Sequence, residues 1–468
     1  MKITFFGAAQ NVTGSKHLIQ VQDYNILLDC GMYQGKRNIS NQLNKELPFS
    51  PDQIDAVILS HAHIDHSGLL PVLVKEGFKG KIYCTSATEE ITRYLLQDSA
   101  SIQEHDCEYL NDHLKKGEDP VFPIYNSDEA ERTFNQFVPA EYFSAGGGWV
   151  KLTNNIRFKL YDAGHILGSA IVLLEIKEGG KTERLVFTGD LGRDELPILR
   201  SPEPLEEGAA TMIMESTYGG RNHGPIGEIM DALEGIINSA AKRGSKIIVP
   251  AFALGRTQEL IYVLHKLVNQ NRIPNLPIYF DSPLAQNLTA IFSRSTEYFD
   301  KEFWQDFGFR KDPVFVFENL RYVETTSESK NLNNLHGPML ILACSGMAEG
   351  GRILHHLKNN IEDPNNVVLI TGFQAENTLG RKIQDGVSPV RILGESYNIR
   401  AKVITLDALS AHAGQKGLLK RVEETKGLKN LFLVHGELPQ SEVLQGEILG
   451  LKPDLSVSIP ALGQSFEF

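Results

Sequence analysis

The run His61-Ala62-His63-Ile64-Asp65-His66 places three imidazoles and a carboxylate within six residues. Imidazole nitrogens combined with carboxylate oxygens suit zinc or a similar borderline divalent ion. On an extended backbone, side chains two residues apart point the same way, so His61 and His63 can share one point in space. Asp65 and His66 fall where the chain turns and can address a second point a few ångströms away. A chance histidine-rich surface loop is the competing explanation, and four ligand-type residues this close together weigh against it. Three later segments repeat the form of an apolar run ending in a ligand-type residue beside glycine. They are Tyr161-Asp162-Ala163-Gly164-His165, Val186-Phe187-Thr188-Gly189-Asp190 and Leu431-Phe432-Leu433-Val434-His435-Gly436. Each alone reads as well as a capping aspartate or a hydrogen-bonded loop histidine. Their recurrence beside the histidine-rich run favours a metal centre, in which the Asp190 carboxylate could bridge two cations.

Donors so far apart in sequence need rigid elements to bring them together. Residues 3–6, 25–29, 56–60 and 81–84 read as short strands running into Gly-, Asp- or Ser-containing loops. Helical patterns follow at 88–100 and 127–136, and further strands at 157–161, 170–176 and 184–188. From about residue 216 the pattern becomes strand–helix alternation, with apolar strands at 246–249, 278–280, 339–343 and 367–370 and an amphipathic helix at 257–269. That is the doubly wound pattern, with active loops at the carboxyl ends of parallel strands. A β-rich style returns at 401–406, 431–434 and 455–459, so an α/β domain is inserted in a first domain.

The chain has 468 residues and a formal charge of −12, which excludes a strongly basic protein that coats nucleic-acid phosphates but leaves room for a local groove. Cys30, Cys84, Cys107 and Cys344 form no CxxC pair and read as reduced thiols of a cytoplasmic protein. The N-terminus lacks signal-peptide features, and no apolar run is long enough to span a membrane.

The His61–His66 run, Gly164-His165, Gly189-Asp190 and His435-Gly436-Glu437 together resemble the metallo-β-lactamase superfamily. MESTYG at 214–219, PAFALGRTQE at 250–259, DSPLA at 281–285, SGM at 345–347 with GGR at 350–352, and TLGR at 378–381 resemble its β-CASP nucleases. The resemblance spans nearly the whole chain. It implies an α/β (α+β) fold, an αββα metallo-β-lactamase sandwich (1–215 and 392–468) with an inserted doubly wound parallel-sheet β-CASP domain (216–391). It implies two zinc ions, one on His61, His63 and His165, the other on Asp65, His66 and His435, with Asp190 bridging and Asp29 orienting the site from behind. Glu215 matches the family's motif A, His412 in SAHA at 410–413 its motif B, and His435 its motif C, where histidine marks RNA-acting members. The Ser-Ala-His form is closer to the cleavage-and-polyadenylation endonuclease type, and no RNA-binding extension domain is expected.

The reaction implied is hydrolysis of phosphodiester bonds in single-stranded RNA by metal-activated water, with Asp65, Glu215 and His412 as the catalytic set. His412, kept protonated by Glu215, would protonate the departing 3′-oxygen, leaving a 5′-phosphate and a 3′-hydroxyl. Endonucleolytic and 5′-exonucleolytic cleavage both stay open. Candidate phosphate contacts are Arg256 and Thr257 at a helix start, the backbone of Ser345, Gly346 and Met347, and Arg352 and Arg381. Surface arginines and tight-turn glycines are the alternative reading of these. Two rival functions are a thioester or lactone metallohydrolase of the same fold and a catalytically silent RNA-binding subunit. Glu215 with His412 argues against the first, and seven intact ligand positions against the second. Single-stranded RNA is the expected partner, with a homodimer allowed and no membrane.

Overall fold

The computed structural model describes residues 1–468 except 36, 116–118, 195, 225, 309–312, 373 and 407–409. Two compact units are present. The first comprises Met1–Asp194, Ser201–Asn222 and His412–Phe468, the second Glu195–Arg200 and His223–Ala411.

The first unit is built on two seven-stranded sheets. One runs in the order Ser465–Glu467, Lys2–Phe5, His17–Val21, Tyr24–Leu28, Ala56–Ile58, Lys81–Cys84, Phe137–Pro139. The other runs Ser456–Ser458, Asn430–Val434, Thr211–Glu215, Lys181–Phe187, Ala170–Glu178, Ile156–Asp162, Val150–Lys151. Their inner faces meet through ring contacts such as Phe5–Phe432, His17–Phe187 and Tyr83–Phe158, at centroid distances of 5.1, 5.5 and 5.4 Å. Helices cover both outer faces. Leu70, Leu96 and Phe134 pack on Val57 and Ile82 of the first sheet, while Leu418, Val422, Leu444 and Ile448 pack on Met212, Met214 and Leu433 of the second. This double coverage explains why Ala170–Glu178 reads as a continuous apolar run: both faces of its first seven residues are buried.

In the second unit a six-stranded sheet runs Leu320–Tyr322, Ile278–Asp281, Met339–Ala343, Lys246–Pro250, Val367–Ile370, Lys402–Thr405, every pair parallel. The last strand departs from the sequence reading, which returned to the first domain at residue 392. Val367 to Ile370 pair with Lys402 to Thr405, so that run is an edge strand of the inserted unit. A short strand carries no mark of which sheet it joins. Among the described residues, no helix is long and apolar enough to cross a membrane.

Candidate metal centre

Four strands of the first unit end at one edge. Lys181–Phe187, Thr211–Glu215 and Asn430–Val434 are mutually parallel, in a register that aligns Glu215 with Val434. Ile156–Asp162 runs the same way, being antiparallel to Ala170–Glu178, which is antiparallel to Lys181–Phe187. The loops leaving them carry His165, Asp190 and His435, and Glu215 is the last residue of its own strand. Across the sandwich, Ala56–Ile58 delivers Ser60, His61 and His63, followed by a single helical turn, Ile64–Ser67, with Asp65 and His66. Gly189 lets the two sheets' loops approach: its φ is +52°, and a Cβ there would stand 2.6 Å from the Cβ of Ser60.

The donor atoms converge on two points. Around the first, His63 Nδ1 lies 3.1 Å from His61 Nε2 and 3.4 Å from His165 Nε2, and Asp190 Oδ2 is 3.5 Å from both of those Nε2 atoms. Around the second, His66 Nε2 and His435 Nε2 are 3.1 Å apart, with Asp65 Oδ2 3.4 Å from His435 Nε2 and Asp190 Oδ1 3.4 Å from His66 Nε2. Donors about 2.0–2.2 Å from a zinc-sized ion must sit roughly 3.0–3.5 Å from one another. Asp190 Oδ1 is fully enclosed and has no hydrogen-bond partner among the described residues. The donor set therefore fits two divalent ions, with one oxygen of Asp190 facing each.

Hydroxyls and a carboxylate behind the imidazoles fix which nitrogen faces the ions. Asp29 accepts from the Ser60 amide at 2.7 Å, the Ser60 hydroxyl at 2.9 Å, the Ser15 hydroxyl at 3.2 Å and His66 Nδ1 at 2.6 Å. Because Ser60 Oγ gives its proton to Asp29, it accepts from His61 Nδ1 at 3.0 Å, leaving Nε2 with its lone pair free. Thr217 Oγ1 likewise donates to the backbone carbonyl of His435 at 2.8 Å and accepts from Nδ1 of the same residue at 3.1 Å. Asp29 and His435 both adopt left-handed backbone, φ +60° and +48°, a conformation uncommon outside glycine and found where function requires it. Ser15, Ser60 and Thr217 escaped the sequence reading. Ser60 had the signal of adjacency to His61, whereas nothing local links residue 217 to residue 435.

Burial pushes His61 and His165 well below the usual imidazole range and His63 down to about 4. Burial opposes charge on His66 as well, but Asp190 and Asp29 override it and hold this imidazole well above the ordinary value. Burial disfavours ionised Asp190, yet His435, His66 and His412 keep its carboxyl well below the usual range.

Beside these donors, His412 Nδ1 lies 3.2 Å from both oxygens of Glu215, and Glu215 Oε1 accepts the Leu191 amide at 2.7 Å. Glu215 is buried; the His412 side chain is one-fifth exposed. Burial would lower the His412 pKa, but Glu215 and Asp190 outweigh it and push it up to about 9. The site so combines metal-type donors with an imidazolium that can give up a proton.

The remaining candidates lie in the second unit, where the side chains of Arg256, Thr257, Ser345, Arg352 and Arg381 each have an internal partner. Arg256 Nη1 pairs with Glu259 at 2.8 Å, Arg381 Nε with Asp385 at 2.8 Å, and Arg352 Nη1 with Asp281 at 2.5 Å. Thr257 Oγ1 donates to the Phe252 carbonyl, and Ser345 Oγ accepts from the amides of Glu349 and Gly350. The carbonyls of Gly346 and Met347 accept from Gln374 Nε2 and the Gly380 amide. The aromatic side chains of Tyr298, Phe299, Phe303 and Phe307 are buried, and that of Trp304 is exposed. The four cysteines are free thiols.

Residues 14–155 match the metallo-beta-lactamase superfamily, 257–383 the Beta-Casp domain, and 396–453 the Zn-dependent metallo-hydrolase RNA specificity domain. Ribonuclease TTHA0252 of Thermus thermophilus is 38% identical over 464 residues, 99% of each chain. Transcription termination factor FttA of Methanocaldococcus jannaschii is 32% identical over 452 residues, covering 93% of this chain and 67% of the relative. A crystal structure of a protein of unknown function from Enterococcus faecalis V583 shares the fold, with a TM-score of 0.56 at 13% identity and 99% of both chains covered.

Proposed function

Because this chain belongs to the β-CASP family of the metallo-β-lactamase superfamily, we propose that it is a zinc-dependent ribonuclease that hydrolyses phosphodiester bonds in single-stranded RNA. The observation that carries this reading is the Glu215–His412 pair beside the converged donors: a thioester or lactone hydrolase needs no such proton donor. The relatives' names, a ribonuclease and a termination factor, support RNA as the substrate.

Two zinc ions are the proposed complement, one held by His61, His63 and His165, the other by Asp65, His66 and His435, with Asp190 shared. When bound, such ions polarise phosphoryl oxygens and lower the pKa of water toward neutrality. The chain's own residues do the rest. Asp29, Ser60 and Thr217 hold the imidazoles in one tautomer. Glu215 keeps His412 protonated and aimed, and His412 transfers that proton to the departing 3′-oxygen. The products are then a 5′-phosphate and a 3′-hydroxyl. The 2′-hydroxyl takes no part, so cleavage survives 2′-deoxy substitution at the scissile position. A cytoplasmic location accords with the four free thiols, and a homodimer is testable by sedimentation.

The test pairs elemental analysis with cleavage of an end-labelled single-stranded RNA by wild type and His412→Ala. Two zinc ions per chain and a loss of about 10²–10⁴ in rate are expected. A 2′,3′-cyclic phosphate product, or unchanged cleavage by the variant, overturns the mechanism.

A further inference from the structure

The helix Gln415–Glu424 buries Leu418 and Val422 against the second sheet of the first unit. Arg421 follows them inward and is 4% exposed. A guanidinium stays charged throughout the physiological pH range, and burying it unpaired is strongly unfavourable. Arg421 Nη1 is nonetheless fully enclosed and has no hydrogen-bond partner among the described residues. It lines a recess together with Leu191, Gly192, Ala413, Gly417 and Lys420. The lining also includes two carboxylates. Asp194 is taken by Lys420 Nζ at 3.0 Å, and Glu424 is exposed; neither forms an ion pair with Arg421.

The recess has about 30 Å³ of internal space, more than the roughly 10–15 Å³ one water needs. It suits an oxyanion head with its other oxygens toward solvent, and excludes a whole nucleotide. Its walls are also the backbone that carries the proposed proton donor. The Ala413 amide donates to the Leu191 carbonyl at 2.7 Å, Gly192 forms a β-bridge with His412, and the Leu191 amide holds Glu215.

We propose that this recess is an oxyanion site, in which Arg421, assisted by Lys420, holds a phosphate-class anion and so fixes the His412-bearing segment from behind. The guanidinium fork matches two phosphate oxygens, and the anion supplies the hydrogen-bond acceptors that the guanidinium lacks, since Glu424, Asp194 and Glu203 attract it without bonding to it. The proposal is independent of what the metal centre cleaves.

The experiment uses the metal-loaded protein as wild type, Arg421→Met and Lys420→Met. Inorganic phosphate is titrated while thermal denaturation and amide hydrogen exchange at Leu191, Gly192 and Ala413 are followed. Phosphate is expected to raise the wild-type Tm by about 2–5 °C and to slow exchange at Ala413 several-fold. Arg421→Met loses both responses, and Lys420→Met, altered at an exposed position, needs several-fold more phosphate. Any response arising at the metal ions is common to all three proteins and cancels in the comparison. A parallel arm compares uncleavable dinucleotides bearing a 5′-phosphate or a 5′-hydroxyl. An Arg421-dependent response to the first alone makes an RNA end the source, whereas a response to inorganic phosphate makes it a free anion. Equal responses in wild type and Arg421→Met, or none in either, overturn the proposal and assign the recess to water.

Discussion

At the scale of single residues, the centre depends on groups that touch neither metal nor substrate. Thr217 holds His435 through a hydroxyl that both gives and accepts a proton. Thr217→Val keeps the shape and removes that hydroxyl, so the affinity for the second metal should fall about 10- to 100-fold, while Thr217→Ser restores it. Metal titration by calorimetry reads both, and an unchanged second site in the valine variant would refute the role. Glu215 sets the other residue-scale expectation. His412 is protonated below its raised pKa of about 9, so its capacity to donate is lost as pH rises through that value. Glu215→Gln removes the largest favourable charge, and the alkaline limb of kcat/KM should move down by one unit or more toward the ordinary imidazole value. A limb that stays in place in the pH–rate profile would sink the pairing argument. The ligand histidines were legible in the sequence because HxHxDH packs them into one turn. The hydroxyls that orient them were not, because Ser15, Ser60 and Thr217 are ordinary residue types, two of them far in sequence from their partners.

At the scale of elements, the second unit shows how strand ends are tied down. Asp281 closes the strand Ile278–Asp281, is 1% exposed, and accepts from Ser329 and His356 at 2.5 and 2.7 Å while pairing with Arg352. It therefore joins the helices Thr326–Leu332 and Arg352–Asn360 to the sheet edge. Arg352, read from sequence as a phosphate clamp, is placed here as a structural partner. Asp281→Ala removes the buried acceptor shared by Ser329, His356 and Arg352 and should cost about 3–5 kcal/mol by denaturant unfolding; a loss under 1 kcal/mol contradicts that role. Element positions were largely legible. Met339–Ala343 and Val367–Ile370 fall where periodicity put them, whereas the helix expected at 88–100 continues to Asp112. The Lys402–Thr405 strand was misassigned because sheet membership is a long-range property.

At the scale of the whole molecule, the acidic balance has a location. Residues 216–391 hold 18 basic and 18 acidic side chains, so the entire −12 lies outside them. Several of those carboxylates, Asp29, Asp65, Asp190 and Glu215, belong to the candidate metal centre, where bound cations would offset them. With Arg256, Arg352 and Arg381 paired internally, RNA affinity should depend weakly on salt. A log–log slope of magnitude below about 3, from filter binding across salt concentrations, is expected; a slope near 6 would mean many phosphate contacts.

By itself the sequence determined the chemistry available: a histidine–aspartate donor set, an acid pair and an inserted α/β domain, all written in local spacing and strand-end motifs. Only the tertiary structure decided the rest. It set which nitrogen of each imidazole faces the metal point, gave the three candidate arginines internal partners, and left Arg421 buried without one. These outcomes rest on contacts between residues tens to hundreds of positions apart, and sequence spacing carries no record of such contacts.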